Sequence, residues 1–304
     1  MKKKMRILSL LLGAMLMISA CTSVEPNSSS NSKSEAPSSS STPSSSNSSG
    51  SGTKVEGTVK FGVTAALTGT NKMVGDQVKN GATLAMEYVN ANGGILGKKL
   101  ELVFEDEIDN QQASVNAMTK IMEYPDVVAF YGSTASGNCI AASSIVLKKQ
   151  VPMIAGGSSA NIPKEKNPYV WQTRMTDDQT GKVMAKVATE TLKMKNPAIL
   201  FSTESFGTGL KDQTVKALKE LGIEVKAENM FGYVVDEKNY APIITQIQNS
   251  GCDGLIAIAQ QKPAVNIVNQ IDAAGVEMPL LGSASFACDV VFTNCGQASN
   301  GWYS

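Results

Sequence analysis

The chain has 304 residues, with 27 Lys and Arg against 27 Asp and Glu, so it carries no net charge, and it contains no histidine. A balanced surface without a basic stripe argues against nucleic acid as a partner. The lack of histidine excludes Ser-His-Asp and Cys-His catalysis and removes the commonest metal ligand, so neither metal nor cofactor is expected.

The chain opens on a basic stretch, Met1 to Arg6, followed by an almost wholly apolar run from Ile7 to Ile18. That run is shorter than the roughly 20 apolar residues a helix needs to cross a bilayer, so residues 1–20 read as a signal peptide. It ends in Ile18-Ser19-Ala20-Cys21. Small residues fit a peptidase groove, and the Cys21 thiol offers a point of lipid attachment. The four residues resemble the lipobox of bacterial lipoproteins. The resemblance implies lipidation at Cys21 and a lipid anchor on the extracellular face of the cell membrane. An ordinary secretory signal with a chance cysteine is the plainer alternative. Thr22 to Gly52 is mostly Ser, with Asn, Pro and Gly, and cannot bury enough surface to offset its ordering entropy. Residues 21–57 therefore read as a lipidated cysteine and a disordered tether, whose reach is on the order of 30 Å. Such an anchored tether suits a domain that no outer membrane confines, which points to a Gram-positive cell.

From Thr58 onward short β-rich runs alternate with amphipathic helices. Val59–Val63 reads as a strand, and Val78, Ala82, Ala85, Met86 and Val89 fall on one face of a helix that Asn92-Gly93-Gly94 ends. Strands at Leu100–Phe104, Val127–Tyr131 and Val151–Ala155 alternate with helices at Asn110–Glu123 and Ser136–Lys149. A segment at Tyr169–Arg174 crosses over, and the pattern restarts. Helices are expected at Gly181–Leu192, Gly209–Leu221, Tyr240–Asn249 and Pro263–Ala274, and strands at Ala198–Phe201, Glu224–Phe231, Gly254–Ile258 and Pro279–Gly282. Helices between strands imply right-handed crossovers and parallel sheets covered on both faces. The expected fold is α/β, with two doubly wound parallel-sheet lobes at 58–174 and 175–304 and a ligand cleft beyond the carboxyl ends of the strands.

Two strand-to-helix loops carry the most chemistry. Tyr131 to Asn138 leads small residues into a helix start, where free N–H groups and the Ser136 hydroxyl form a cradle for a carboxylate or phosphate. Ala155 to Ala160 leaves the next strand in the same way, with Gly157 open to close approach and Ser159 offering a hydroxyl and an N–H. Either serine has the plainer reading of a helix cap. Neither loop contains a dinucleotide or Walker pattern. Cys139, Cys252, Cys288 and Cys295 match no zinc spacing, and the sequence leaves open both a Cys288–Cys295 disulfide and buried free thiols.

A series of phrases then carries a resemblance over Val59 to Ser304: Val74-Gly75-Asp76-Gln77, Gly81 to Ala85, Val89 to Gly97, the two loops, Ser205 to Leu210 and Gln270 to Gly275. Together they resemble the type I periplasmic binding proteins of the branched-chain amino-acid (Leu/Ile/Val) transport family. The resemblance implies a two-lobed fold that closes on an amino acid and delivers it to an ABC permease. It gives Ser136 and Ser159 to the ligand carboxylate, the Gly157 carbonyl and Ser159 to its ammonium, and Phe206 to a cover from the second lobe. Val74 and Gln260 fall at usual aromatic positions, and Asp178 near a family acidic position.

Two departures matter. The family glutamate against the ammonium is Ala284 here, so either Asp178 or Asp177 supplies the counter-charge or the ligand is not an ordinary α-amino acid, since a bare buried ion is costly by several kcal/mol. The chain also ends at Ser304, short of where that family usually ends, which reads as a truncated product with apolar surface left uncovered. The resulting expectation is a non-enzymatic solute-binding lipoprotein for a branched-chain amino acid or related small carboxylate. A sensor docking on a membrane receptor through the same cleft is the alternative. A Ser-Lys hydrolase lacks a lysine at motif spacing from Ser136 or Ser158.

Overall fold

Among the described residues, the strands form two parallel sheets wound in the same order. The structure is a computed structural model that describes residues 57–304 apart from Thr70 and Asp109; the signal-like segment, Cys21 and the Ser-rich tether lie outside the described residues. The first sheet contains β1 (Thr58–Ala65), β2 (Lys99–Asp106), β3 (Val127–Gly132), β4 (Met153–Ala155) and β5 (Val170–Gln172), in the order β2-β1-β3-β4-β5. Helices α1 (Lys72–Ala91), α2 (Gln111–Ile121) and α3 (Ser136–Lys149) make its crossovers. The second sheet contains β6 (Pro197–Ser202), β7 (Met230–Tyr233), β8 (Gly254–Ile258), β9 (Leu280–Gly282) and β10 (Trp302–Tyr303), in the order β7-β6-β8-β9-β10. It is served by α4 (Asp177–Lys186), α5 (Ser205–Glu220), α6 (Ala241–Asn249), α7 (Gln261–Ala273) and α8 (Asp289–Cys295). In each sheet the winding reverses beside the first strand. The switch points therefore lie between β1 and β3 and between β6 and β8, where ligands of such sheets sit.

Burial explains why these runs became strands. All of β8 is buried, and its residues alternate between two cores: Leu255 and Ala257 face α6 and α7, while Ile256 and Ile258 face α4 and α5. A strand covered on both faces must be apolar at every position. In the first sheet Phe130 and Met153 pack with Cys139, Ala142 and Val146 of α3. The thin side is α1. Of its predicted face, Val78, Ala82, Met86 and Val89 are half-buried and Ala85 is exposed, while Leu84 and Tyr88 stand 68% and 71% exposed. Its first turn is nonetheless fixed, because a Cβ on Gly75 would stand 1.9 Å from the Ala66 carbonyl oxygen.

Several expected boundaries are corrected. The strand expected at Glu224–Phe231 begins only at Met230, because pairing with β6 starts at Ile199 opposite Met230 and Ala227–Asn229 forms a 3-10 turn. The crossing segment at Tyr169–Arg174 contains β5, paired in parallel with β4. Helices α4 and α5 start about one turn earlier than Gly181 and Gly209. Those glycines are interior residues that let helices meet: a Cβ on Gly181 would stand 2.8 Å from the Gln213 backbone of α5. Cys288 and Cys295 are free thiols, their sulfurs facing the Ser285 and Val265 carbonyls. No helix among the described residues is long and apolar enough to cross a membrane.

Candidate functional site

The two loops singled out in the sequence lie side by side at the first switch point. Ser133 takes a left-handed conformation (φ 50°) as the chain turns out of β3. Its hydroxyl donates to the Glu107 carboxylate at 2.6 Å, its N–H donates to the Thr64 hydroxyl at 3.2 Å, and it accepts from the Ala135 N–H at 2.8 Å. Glu107 is buried and also accepts from the Ser114 hydroxyl, tying the start of α2 to the loop before α3. Sequence reasoning missed Glu107. An acidic residue just past the apolar end of a strand was its available signal.

Ser136, Gly157 and Ser159 come together and are all buried. The Ser136 hydroxyl accepts from the Ser159 N–H at 3.2 Å, and the Ser159 hydroxyl accepts from the Asn161 N–H at 3.2 Å. The Gln172 side-chain amide donates to the Gly157 carbonyl at 3.0 Å and to the Ser159 carbonyl at 3.2 Å. Gly157 is required here, since a Cβ would stand 2.8 Å from the Ser136 Cα. The polar groups that resemblance assigns to a ligand are thus bonded to one another and to Gln172.

The second lobe meets this cluster through α5. Glu204 caps the helix, its carboxylate accepting from the Phe206 and Gly207 N–H groups at 2.7 and 3.2 Å. One turn on, a Cβ on Gly209 would stand 3.2 Å from the Ser159 Oγ and 2.9 Å from the Asp177 Oδ2. Asp177 is 1% exposed, and its Oδ2 has no hydrogen-bond partner. Burial pushes its carboxyl up to about 6, against the opposing effects of the Ser158 hydroxyl and the Arg174 charge. Asp178 differs. It accepts from the Thr176 hydroxyl, which holds it below the usual carboxylate range, and it lines none of the interlobe cavities.

Three adjoining spaces lie between the lobes. One, of about 260 Å³, is bounded by Val74 and Thr134 from the first lobe and by Phe206 and Gln260 from the second, with Ser158 and Arg174 at its wall. Past Ser158, Arg174 and Phe206 it meets a more apolar space of about 410 Å³ formed by Met184, Val187, Leu210 and Leu281, where Asp177 and Ala284 also lie. On the other side, Gln260 borders a space of about 380 Å³ with Asn138, Glu204 and Asp236. Val74, Phe206 and Gln260 therefore line the cleft, Ser136, Gly157 and Ser159 form the buried floor beside it, and Asp178 stands apart. Arg174 is the residue the sequence reading passed over. Its signal was rarity: Arg6 and Arg174 are the two arginines of the chain, and every other cationic side chain is lysine. Among the described residues no group of three or more acidic or Cys side chains is placed to hold a metal.

Two doubly wound lobes with cavities between their facing switch points define the architecture of a two-lobed, type I binding protein. The chain belongs to the periplasmic binding protein family, whose model matches residues 58–301. It is 29% identical over 248 residues to the Leu/Ile/Val-binding protein homolog 2 of Brucella abortus, covering 80% of this chain and 65% of that relative. The chain thus spans less than two thirds of the length of the curated relatives it matches first. In fold it is similar to the branched-chain amino acid transporter substrate binding protein LivJ from Streptococcus pneumoniae, solved with isoleucine, at a TM-score of 0.71 and 22% identity over 80% of this chain and 68% of that one. It is equally similar, at a TM-score of 0.71 and 22% identity, to a solute binding protein of an ABC transporter from Rhodopseudomonas palustris HaA2, solved with p-hydroxybenzoic acid, over 79% of this chain and 66% of that one.

Proposed function

We propose that this chain is the extracytoplasmic solute-binding lipoprotein of an ABC importer, taking a branched-chain amino acid or a related small carboxylate between its lobes and delivering it to a permease. The observation that carries this reading is the cavity of about 260 Å³ bounded by both lobes, with apolar surface from Val74 and Phe206 beside the hydroxyls of Thr134 and Ser158. Small-molecule sites combine apolar walls with a few polar groups that fix orientation. The two related structures were solved with an amino acid and with an aromatic acid, so both ligand classes fall within the proposal. The role is non-enzymatic: the cleft offers binding surfaces, and the chain has no histidine to activate a serine.

Lipid attachment at Cys21 and a Ser-rich tether complete the proposal, placing the lobes on the outer face of the cell membrane, in a Gram-positive cell by the reasoning above. A thermal-shift screen of the full chain against free amino acids and small carboxylates tests the binding role. Stabilisation by at least one class is expected. A flat response across both would sink it.

A further inference from the structure

We propose that Arg174 is the charged anchor of the interlobe site and that the site takes a small carboxylate bearing no ammonium group. This rests on the solute-binding reading above and narrows its ligand class. The first support is charge. Arg174 is the one ionised side chain among the described residues lining the cavity of about 260 Å³; the rest are apolar groups, hydroxyls and amides. An anion entering that space meets a counter-charge. A zwitterion would bring an ammonium that no acidic side chain in this cavity's own lining balances, and uncompensated charge in a closing cleft is strongly disfavoured.

The second support is availability. Arg174 forms no salt bridge among the described residues, its charge acting on Asp177 only from beyond contact, and the bond it makes is from one guanidinium nitrogen to the Gly156 carbonyl at 3.2 Å. A guanidinium carries five N–H donors in a planar fork suited to a carboxylate, so most of its donors remain to be used. The alternative anchors are committed elsewhere. The Ser159 N–H is taken by the Ser136 hydroxyl, and the Gly157 carbonyl by Gln172. Ala284 brings no charge, and the free oxygen of Asp177 faces Gly209 of α5.

The opposite wall adds detail. Gln261 lines the cavity, and its side-chain oxygen is buried without a hydrogen-bond partner. A buried acceptor of this kind calls for a donor. A hydroxyl on the bound acid would supply it. The ligand class is therefore an aliphatic or aromatic carboxylic acid, favoured further where it carries a hydroxyl.

Isothermal titration of the full chain in mild detergent distinguishes the cases with three probes: leucine, 4-methylpentanoate (leucine without its ammonium) and 4-hydroxybenzoate. At least one acid is expected to bind about tenfold or more tightly than leucine, and Arg174→Gln to weaken that acid by about tenfold or more at unchanged Tm. Arg174→Lys, which keeps the charge, should recover part of the loss. Leucine binding as well as or better than both acids, or an acid indifferent to Arg174→Gln, would overturn the assignment while leaving the solute-binding role standing. Failure of all three probes to bind would count against both.

Discussion

Gly209 of α5 lies so close to Asp177 of α4 that a Cβ placed on it would stand 2.9 Å from the Asp177 Oδ2. The same Cβ would stand 3.2 Å from the Ser159 Oγ, so one missing side chain lets the second lobe rest on the floor of the first. Gly209→Ala should therefore push the Asp177 carboxylate and the Ser159 hydroxyl aside. Without relaxation the overpacking costs about 1–3 kcal/mol. Thermal unfolding should show a lower Tm for the variant, and an unchanged Tm would contradict the contact.

The buried Asp177 carboxyl, raised from 3.8 to about 6, predicts a specific pH response. Its folded state holds the proton more tightly than the unfolded chain, so its contribution to stability is fully favourable below pH 3.8 and is lost as pH rises toward about 6. Asp177→Asn should flatten this part of the stability profile and raise stability at neutral pH by roughly 1–3 kcal/mol. Urea titrations of both proteins between acid and neutral pH provide the check, and parallel profiles would refute the assignment.

Glu107 holds two elements in place, accepting from the Ser133 hydroxyl at 2.6 Å and the Ser114 hydroxyl at 3.1 Å. Glu107→Ala leaves both buried hydroxyls without their acceptor and should cost about 2–4 kcal/mol. Glu107→Gln keeps one acceptor oxygen and should lose less. Equal Tm values for the two variants would show that the carboxylate does not organise the loop.

Ser136→Ala removes the acceptor of the buried Ser159 N–H. A loss of about 1–2 kcal/mol is expected, the usual cost of an orphaned buried donor. Hydrogen exchange at the Ser159 amide should accelerate. Protection equal to that of the unaltered protein would mean that the hydroxyl is not its partner.

The proposed anchor has its own test. Cys21→Ser should abolish incorporation of a tagged fatty acid and release the chain from the membrane fraction. Labelling that persists in the variant would remove Cys21 as the lipid site.

Much of the fold was legible because local pattern and tertiary environment agree. Five apolar residues in succession mark β8, a strand buried on both faces. The α3 bounds follow from Ser136 at its start and from Gln150, which turns left-handed (φ 56°) just after Lys149. Alternation of such elements determined a doubly wound α/β chain, since each apolar face needs a partner layer. Other features depended on pairing and approach. β7 begins where β6 offers a partner at Ile199, which no propensity at Glu224 or Val225 reveals. Gly181 and Gly209 read as helix starts although they are interior contacts, because a glycine that permits close packing looks the same in sequence as one that breaks a helix.

The candidate site divides along the same line. Val74 and Phe206 could be named because each lies within a recognisable phrase of the chain, Gln260 because it falls at a usual aromatic position of the resembled family, and the paired Ser136 and Ser159 loops because small residues lead out of strands. What only the tertiary structure decided is which groups are spoken for. The serines satisfy each other, Asp177 faces Gly209, and Arg174 lines the cavity without a salt bridge among the described residues. Sequence sets which donors, acceptors and charges a chain owns. Whether a given one is spent on the fold or left for a ligand depends on distances between residues far apart in the chain, and those exist only once the lobes have folded.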